Sequence, residues 1–195
     1  IAWVGWELTE AAPIVDLSLF RSRNFAVGTL AYSLSFAIFF GNNLLLPLWL
    51  QTQVGYIATW AGLVAAPGGV IALMLTPCAS RMMNRVDARF SASVAILAFA
   101  ASYFMRSGYT TDADFRAFVA PILVQGVSMS LFFVALAMIV LADVTAERTP
   151  AAAGLSNFCR YTAGSFAASV TTTFWDRREA LHQTRLAETI HALPP

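Results

Sequence analysis

Residues 25–50 read FAVGTLAYSLSFAIFFGNNLLLPLWL, a run of 26 with no Asp, Glu, Lys, Arg or His. As a helix rising about 1.5 Å per residue, such a run is roughly 39 Å long, which exceeds the hydrocarbon core of a bilayer at about 30 Å. The charge-free stretch extends from Asn24 to Ser80, and a second runs from Ala117 to Ala142. Across 195 residues the chain is 58% hydrophobic and 12% charged, with a mean hydropathy of +0.65. Water-soluble domains carry about 25% charged residues. In lipid the backbone polar groups must be satisfied within each segment, so the fold class is an all-α membrane protein, a helical transmembrane bundle.

Working outward, residues 25–50 form span one and Gln51–Thr59, with Gly55, a tight polar turn. Span two covers about 58–79, and Arg81, Arg85, Asp87 and Arg89 fill a short charged loop. Span three covers 90–109, with Arg106 close enough to its end to snorkel. A loop with Asp112, Asp114 and Arg116 leads to span four, 117–142. After the polar stretch Asp143–Thr149, Thr149 and Pro150 suit an N-cap and first turn, opening a fifth span over 150–175. Thus 25–175 is expected to be a five-span bundle. Residues 1–24 are the end of a preceding helix (IAWVGW) and a loop, and 176–195 a charged, weakly amphipathic tail with Leu181, Leu186 and Ile190. The chain begins with Ile1 and lacks a signal-peptide pattern, which suggests a start internal to a longer protein.

The 12 basic residues are all arginines, and a net charge of +1 leaves no basic surface broad enough for nucleic acid. Alternate loops carry six arginines on one side (21, 23, 81, 85, 89, 148) and five on the other (106, 116, 177, 178, 185). The short loop 81–89, with three arginines against one aspartate, carries the most weight and is placed in the cytoplasm, which puts 176–195 in the periplasm. Cys78 and Cys159 lie in apolar segments and read as small buried hydrophobes, while His182 and His191 fall in the tail. No metal-ligand spacing and no phosphate-binding loop with its lysine occurs, so neither an enzyme nor a cofactor is indicated.

Arg160 is the ionised residue deep in a span, about 14 Å along the fifth helix at 1.5 Å per residue. A charge there costs on the order of 2.5–3.5 kcal/mol on insertion scales, so it faces protein or water. It either pairs with an acid or anionic substrate, or stabilises one state of a transport cycle, or ties its helix to backbone carbonyls. Asn42 and Asn43 point about 100° apart on one helix, so at least one faces inward, lining a path or bonding a neighbouring helix. Gln125, followed by Gly126, poses the same choice. Pro67, Gly68 and Gly69 are candidates for a helix break in span two, and Trp60 for an interfacial anchor. Gly154, Ser156, Ala163, Gly164, Ser165, Ala168 and Ser169 give span five small surfaces for close packing. The pairs Phe39–Phe40 and Phe132–Phe133 sit mid-span in helices one and four, as three-helix repeats would place them.

Three longer strings carry a family resemblance: WELTEAAPIVDLSLFRSRNFAVGTL at 6–30, LLLPLWLQTQVGYIATWAGLVAAPGG at 44–69 and AAAGLSNFCRYTAGSF at 151–166. Together they resemble the C-terminal half of the fourteen-helix drug/proton antiporters of the major facilitator superfamily, the EmrB/QacA type, from the end of the eighth helix through the thirteenth. The resemblance implies export of small amphipathic drugs in exchange for protons across the bacterial inner membrane, as a multi-pass protein in contact with lipid. A periplasmic adaptor and an outer-membrane channel are the implied partners. It also implies that the N-terminal helices, with the proton-carrying acids, lie outside this stretch. The loop ASRMMNRVDAR at 79–89 is similar to the family's gate latch at Arg81, Arg85, Asp87 and Arg89, with Ser80 where glycine is usual and Asn84 where an acid is common. A solvated basic turn that only fixes topology is the competing account. Export of a siderophore, fatty acid or other metabolite by the same fold, and a truncated membrane scaffold that transports nothing, are the rival functions.

Overall fold

The computed structural model describes residues 16–109 and 115–191, with backbone alone at 116, 182–183 and 185–191. The IAWVGW segment, Asp112, Asp114 and the side chains of Arg116, His182 and His191 lie outside this description. Among the described residues a 3-10 turn at Leu17–Arg21 leads into five α-helices: α1 Arg23–Thr52, α2 Ala58–Met83, α3 Ala88–Arg106, α4 Phe115–Leu141 and α5 Thr149–His191. Ser22 caps α1 through its hydroxyl, which accepts from the Phe25 N–H, and Asp87 caps α3 by accepting from the Arg89 N–H at 2.8 Å. Gly55 takes a φ of +79° in the α1–α2 turn, a conformation that side-chain-bearing residues rarely adopt.

α4 is the central element. It packs along α2 on one side and α3 on the other, while α1 packs along α5 and touches α4. Burial follows this layout, from 44% of the apolar window in α4 to 22% in α2. One cluster joins Phe25, Phe36 and Phe39 of α1 with Ala95 and Phe99 of α3, Phe132 and Leu136 of α4, and Leu155 of α5. A second, nearer the α1–α2 turn, joins Leu46, Leu50, Val64, Phe118 and Ile122. The outward faces stay apolar, with Ile38, Leu73, Met74, Leu97 and Phe104 among the most exposed. Water would make such a surface aggregate, whereas acyl chains solvate it; helix association then depends on close packing and polar contacts.

Among the described residues four helices, α1 to α4, are long and apolar enough to cross a membrane, so the chain is a multi-pass membrane protein. The fifth departs from the reading of 150–175: α5 runs unbroken for 43 residues, past Trp175 to His191. It is not among the four by composition, since Arg160, its Ser and Thr residues and the charges after Trp175 lower its hydropathy. Nor does Thr149 act as a cap. Its hydroxyl donates back to the Thr145 carbonyl at 3.0 Å, and Pro150 occupies the first turn, where a missing N–H loses no helical bond.

α2 runs through Pro67 and Pro77 as one helix, and the Pro67-Gly68-Gly69 triplet divides by function. Gly68 is buried against α4, where an added Cβ would lie 3.0 Å from Ile122, while Gly69 has nothing within 4 Å. The facing Gly126 is tighter, for its Cβ would stand 2.5 Å from the Gly68 carbonyl oxygen. On the other side of the bundle, Gly41 and Gly164 let α1 and α5 approach, with Cβ positions 2.7 Å from Thr171 Oγ1 and 2.8 Å from the Phe36 ring.

Candidate functional site

Arg160 reaches from α5 into the space between α1 and α4. Its Nη1 donates to the Tyr32 hydroxyl at 2.9 Å. Around the guanidinium stand four aromatic rings, with centroids 5.2 Å (Tyr32), 4.9 Å (Phe36), 5.5 Å (Phe133) and 4.7 Å (Tyr161) from its central carbon. Ring faces are electron-rich and attract cations within about 6 Å, more strongly where water is excluded. Phe36 and Phe133 are themselves edge-on at 6.0 Å, and Phe39 meets Phe133 at 5.7 Å, so Tyr32, Phe36 and Phe133 rest in the core cluster, while Tyr161 closes the cage from the exposed side. Among the described residues no carboxylate pairs with Arg160, and its Nε has no hydrogen-bond partner. The ion is therefore held by a hydroxyl and by ring faces, neither of which neutralises it.

A second polar group lies nearer the α1–α2 turn. Arg106, at the end of α3, donates through Nη2 to Gln125 Oε1, and the buried Gln125 amide donates at 3.4 Å to Asn43 Oδ1. The expectation that Arg106 snorkels to the interface is thus replaced: the guanidinium turns inward, because α4 presents a buried amide acceptor beside it. Asn43 is exposed on the bundle surface apart from this contact, and Asn42 is half-buried one position round the helix.

The expected loop 81–89 shortens to 84–87, with Arg81 in the last turn of α2 and Arg89 in the first turn of α3; Arg81, Arg85, Asp87 and Arg89 are all exposed, and Asp87 forms no ion pair with them among the described residues. Its carboxylate caps α3 instead. Cys78 is exposed, contrary to its reading as a buried hydrophobe, and Cys159 is half-buried; both are free thiols. At the same end of the bundle, Arg148 bonds Asp16 through Nε at 2.9 Å and Nη2 at 2.5 Å, and reaches Ser18 Oγ at 2.6 Å. This contact ties the 3-10 turn before α1 to the start of α5.

The family model of the Major Facilitator Superfamily matches residues 5–168. The chain belongs to that superfamily. Its relatives within the superfamily include the fatty acid resistance protein FarB of Neisseria gonorrhoeae, 44% identical over 96% of this chain and 37% of the relative. The multidrug export protein EmrB of Escherichia coli K12 is 43% identical over 98% of the chain and 38% of the relative. EmrB of Haemophilus influenzae is 41% identical over the whole chain and 38% of its own length. The chain thus spans a little over a third of the curated relatives it matches. Arg160, Tyr32, Phe36, Phe133 and Tyr161 all fall inside the superfamily match, as do Arg106, Gln125 and Asn43.

Sequence reasoning singled out Arg160 and noted Phe133 only as half of a mid-span Phe pair, linked none of the four rings to the arginine, and misplaced Arg106. Phe36 and Tyr161 sit 125 positions apart in the chain, and no local pattern links an aromatic on one helix to an arginine on another. The signal that was available is the cost of the charge itself, which says that partners exist without saying which.

Proposed function

We propose that the protein containing this chain is a proton-coupled exporter of amphipathic compounds of the EmrB type, acting in the bacterial inner membrane. The observation that carries the reading is Arg160. It is a permanent cation between membrane helices, caged by Tyr32, Phe36, Phe133 and Tyr161 with no counter-ion among the described residues. A cage of ring faces lets the charge persist in a low-dielectric site while leaving it able to attract an acid. In the proposed cycle the acid is a carboxylate from the N-terminal helices. Deprotonated, it is drawn towards Arg160; protonated, it is released, so proton binding switches the two halves between states.

Identity of 43% with a multidrug export protein across nearly the whole chain supports this assignment, and so does the exposed arginine loop 81–89, placed on the cytoplasmic side. In that orientation α5 is the fifth span of the 25–175 bundle, and its extension beyond Trp175 projects into the periplasm, where a periplasmic adaptor and an outer-membrane channel would continue the route. Export of a fatty acid is the second reading, supported by 44% identity with the gonococcal fatty acid resistance protein.

The test is accumulation of a fluorescent cationic dye in cells lacking their own pumps, with and without the complete reading frame and with a protonophore. Dye exclusion that the protonophore abolishes is the expected result. Unchanged accumulation despite good membrane expression would overturn drug export and leave the fatty acid reading.

A further inference from the structure

Where α1 and α3 end and α5 passes Trp175, an open-sided cavity of about 220 Å³ has Asn42, Arg106, Tyr109 and Trp175 on one side and Leu45, Leu46 and Trp49 on the other. The polar side is rich in unused donors. Among the described residues, Arg106 Nε and Nη1, the Tyr109 hydroxyl and Trp175 Nε1 are buried with no well-formed hydrogen bond, the Arg106 guanidinium and the Tyr109 hydroxyl lying beside one another. Buried donors are nearly always paired in folded proteins, and an ionised one left alone is the most costly kind. Four such atoms round one cavity mark a place where an acceptor belongs. Gln125 takes only Nη2 of Arg106 and fixes the direction of the guanidinium. The apolar side is firm, since Trp49 and Tyr109 stack at 6.0 Å and Tyr109 meets Phe118 edge-on at 4.7 Å.

We infer that this cavity is a binding site for the carboxylate of an amphipathic acid, with Arg106, Tyr109 and Trp175 holding the headgroup and Leu45, Leu46 and Trp49 flanking its apolar body. A planar anion satisfies an arginine fork together with neighbouring O–H and N–H donors, whereas a cation would be repelled by the Arg106 guanidinium. Asn42 supplies an amide that orients the headgroup. The donors are closed off from solvent at rest, so entry includes a side-chain rotation at Tyr109 or Trp175. The inference deepens the export reading and rests on it for the direction in which the acid travels, but binding can be measured without transport.

The experiment uses the full-length transporter in phosphatidylcholine nanodiscs, titrated with 9,10-dibromostearate and with its uncharged methyl ester, reading quenching of tryptophan fluorescence. Dibromostearate is expected to quench saturably and the ester only weakly. Arg106→Gln should weaken the acid by roughly tenfold, the usual scale for a lost charge-assisted hydrogen bond, and leave the ester unchanged. The same dependence is expected in an Asp112→Asn/Asp114→Asn background. Tyr109→Phe, a milder change, should weaken the acid several-fold, which keeps the test decisive if Arg106→Gln does not fold. Equal binding of acid and ester, or acid binding indifferent to both substitutions, overturns the inference. Displacement of dibromostearate by added phosphatidylglycerol assigns the site to a lipid phosphate and overturns the substrate assignment. Proton-coupled dye exclusion without acid binding would sink the site and leave the export reading intact; acid binding without any export would do the reverse.

Discussion

Among the described residues Arg160 donates one hydrogen bond, to Tyr32, and otherwise rests on ring faces, so its substitutions separate charge from shape. Arg160→Ala is expected to reduce dye export at least about tenfold with membrane levels unchanged, because it removes an interaction with a charged group worth roughly 1.5–3 kcal/mol. Arg160→Lys keeps the charge but loses the planar stacking and is expected to fall between the two. Tyr32→Phe keeps the ring while removing the hydroxyl, and should cost less than Arg160→Ala. Initial rates of dye efflux, normalised to the amount of protein in the membrane, decide all three; wild-type export by Arg160→Ala would remove the residue from the mechanism.

Helices in lipid gain little from burying apolar area against one another, so backbone proximity matters more than in water. The α2–α4 contact depends on Gly126, whose added Cβ would stand 2.5 Å from the Gly68 carbonyl oxygen, and on Gly68 itself. Gly126→Ala is expected to lower stability by about 1–3 kcal/mol, the range for overpacking a close contact. Gly69→Ala, with open space at its Cβ, should leave it unchanged or slightly raised. The melting temperatures of the detergent-purified variants provide the check. A Gly126→Ala variant as stable as the wild type would show that α2 and α4 can separate slightly without penalty. At the same scale, Asp87 in the arginine loop is a helix cap. Asp87→Asn should therefore preserve stability to within about 0.5 kcal/mol, since both residues are good N-caps, while Asp87→Ala should cost about 1 kcal/mol.

The bundle is held at one end by Arg148, which joins Asp16 and Ser18 before α1 to the start of α5. The hydrogen bond from the Ser18 hydroxyl, opposed by partial burial and aided by the Arg148 contacts, holds the Asp16 carboxyl below its ordinary 3.8. A carboxyl depressed in the folded state contributes its full stabilisation above the unfolded value, and loses it as the pH falls through the folded one. The tie is therefore expected to hold constant from pH 8 to pH 5 and to weaken only below about pH 4, close to the aspartate reference. Both side chains are partly exposed, so its contribution stays below about 1 kcal/mol. Hydrogen exchange at 17–22 is expected to show this profile, and Asp16→Asn should speed exchange at neutral pH. A midpoint above pH 5 would exclude Asp16 as the group responsible.

The membrane class, the helix count within 25–175 and the turn at Gly55 were legible in the sequence, because each follows from local chemistry: uncharged length against bilayer thickness, and a positive φ at glycine. The run of α5 past Trp175 was not, since charged residues that end a membrane span do not end a helix. Arg160 could be recognised as costly, yet its rings come from α1 and α4 as well as α5, and its contact with Tyr32, across 128 residues, has no local signature. Arg106 went further astray, since a charge near a helix end can turn to the interface or inward with the same sequence around it. Only the packing of α3 against α4, which sets the Gln125 amide beside it, decides between the two.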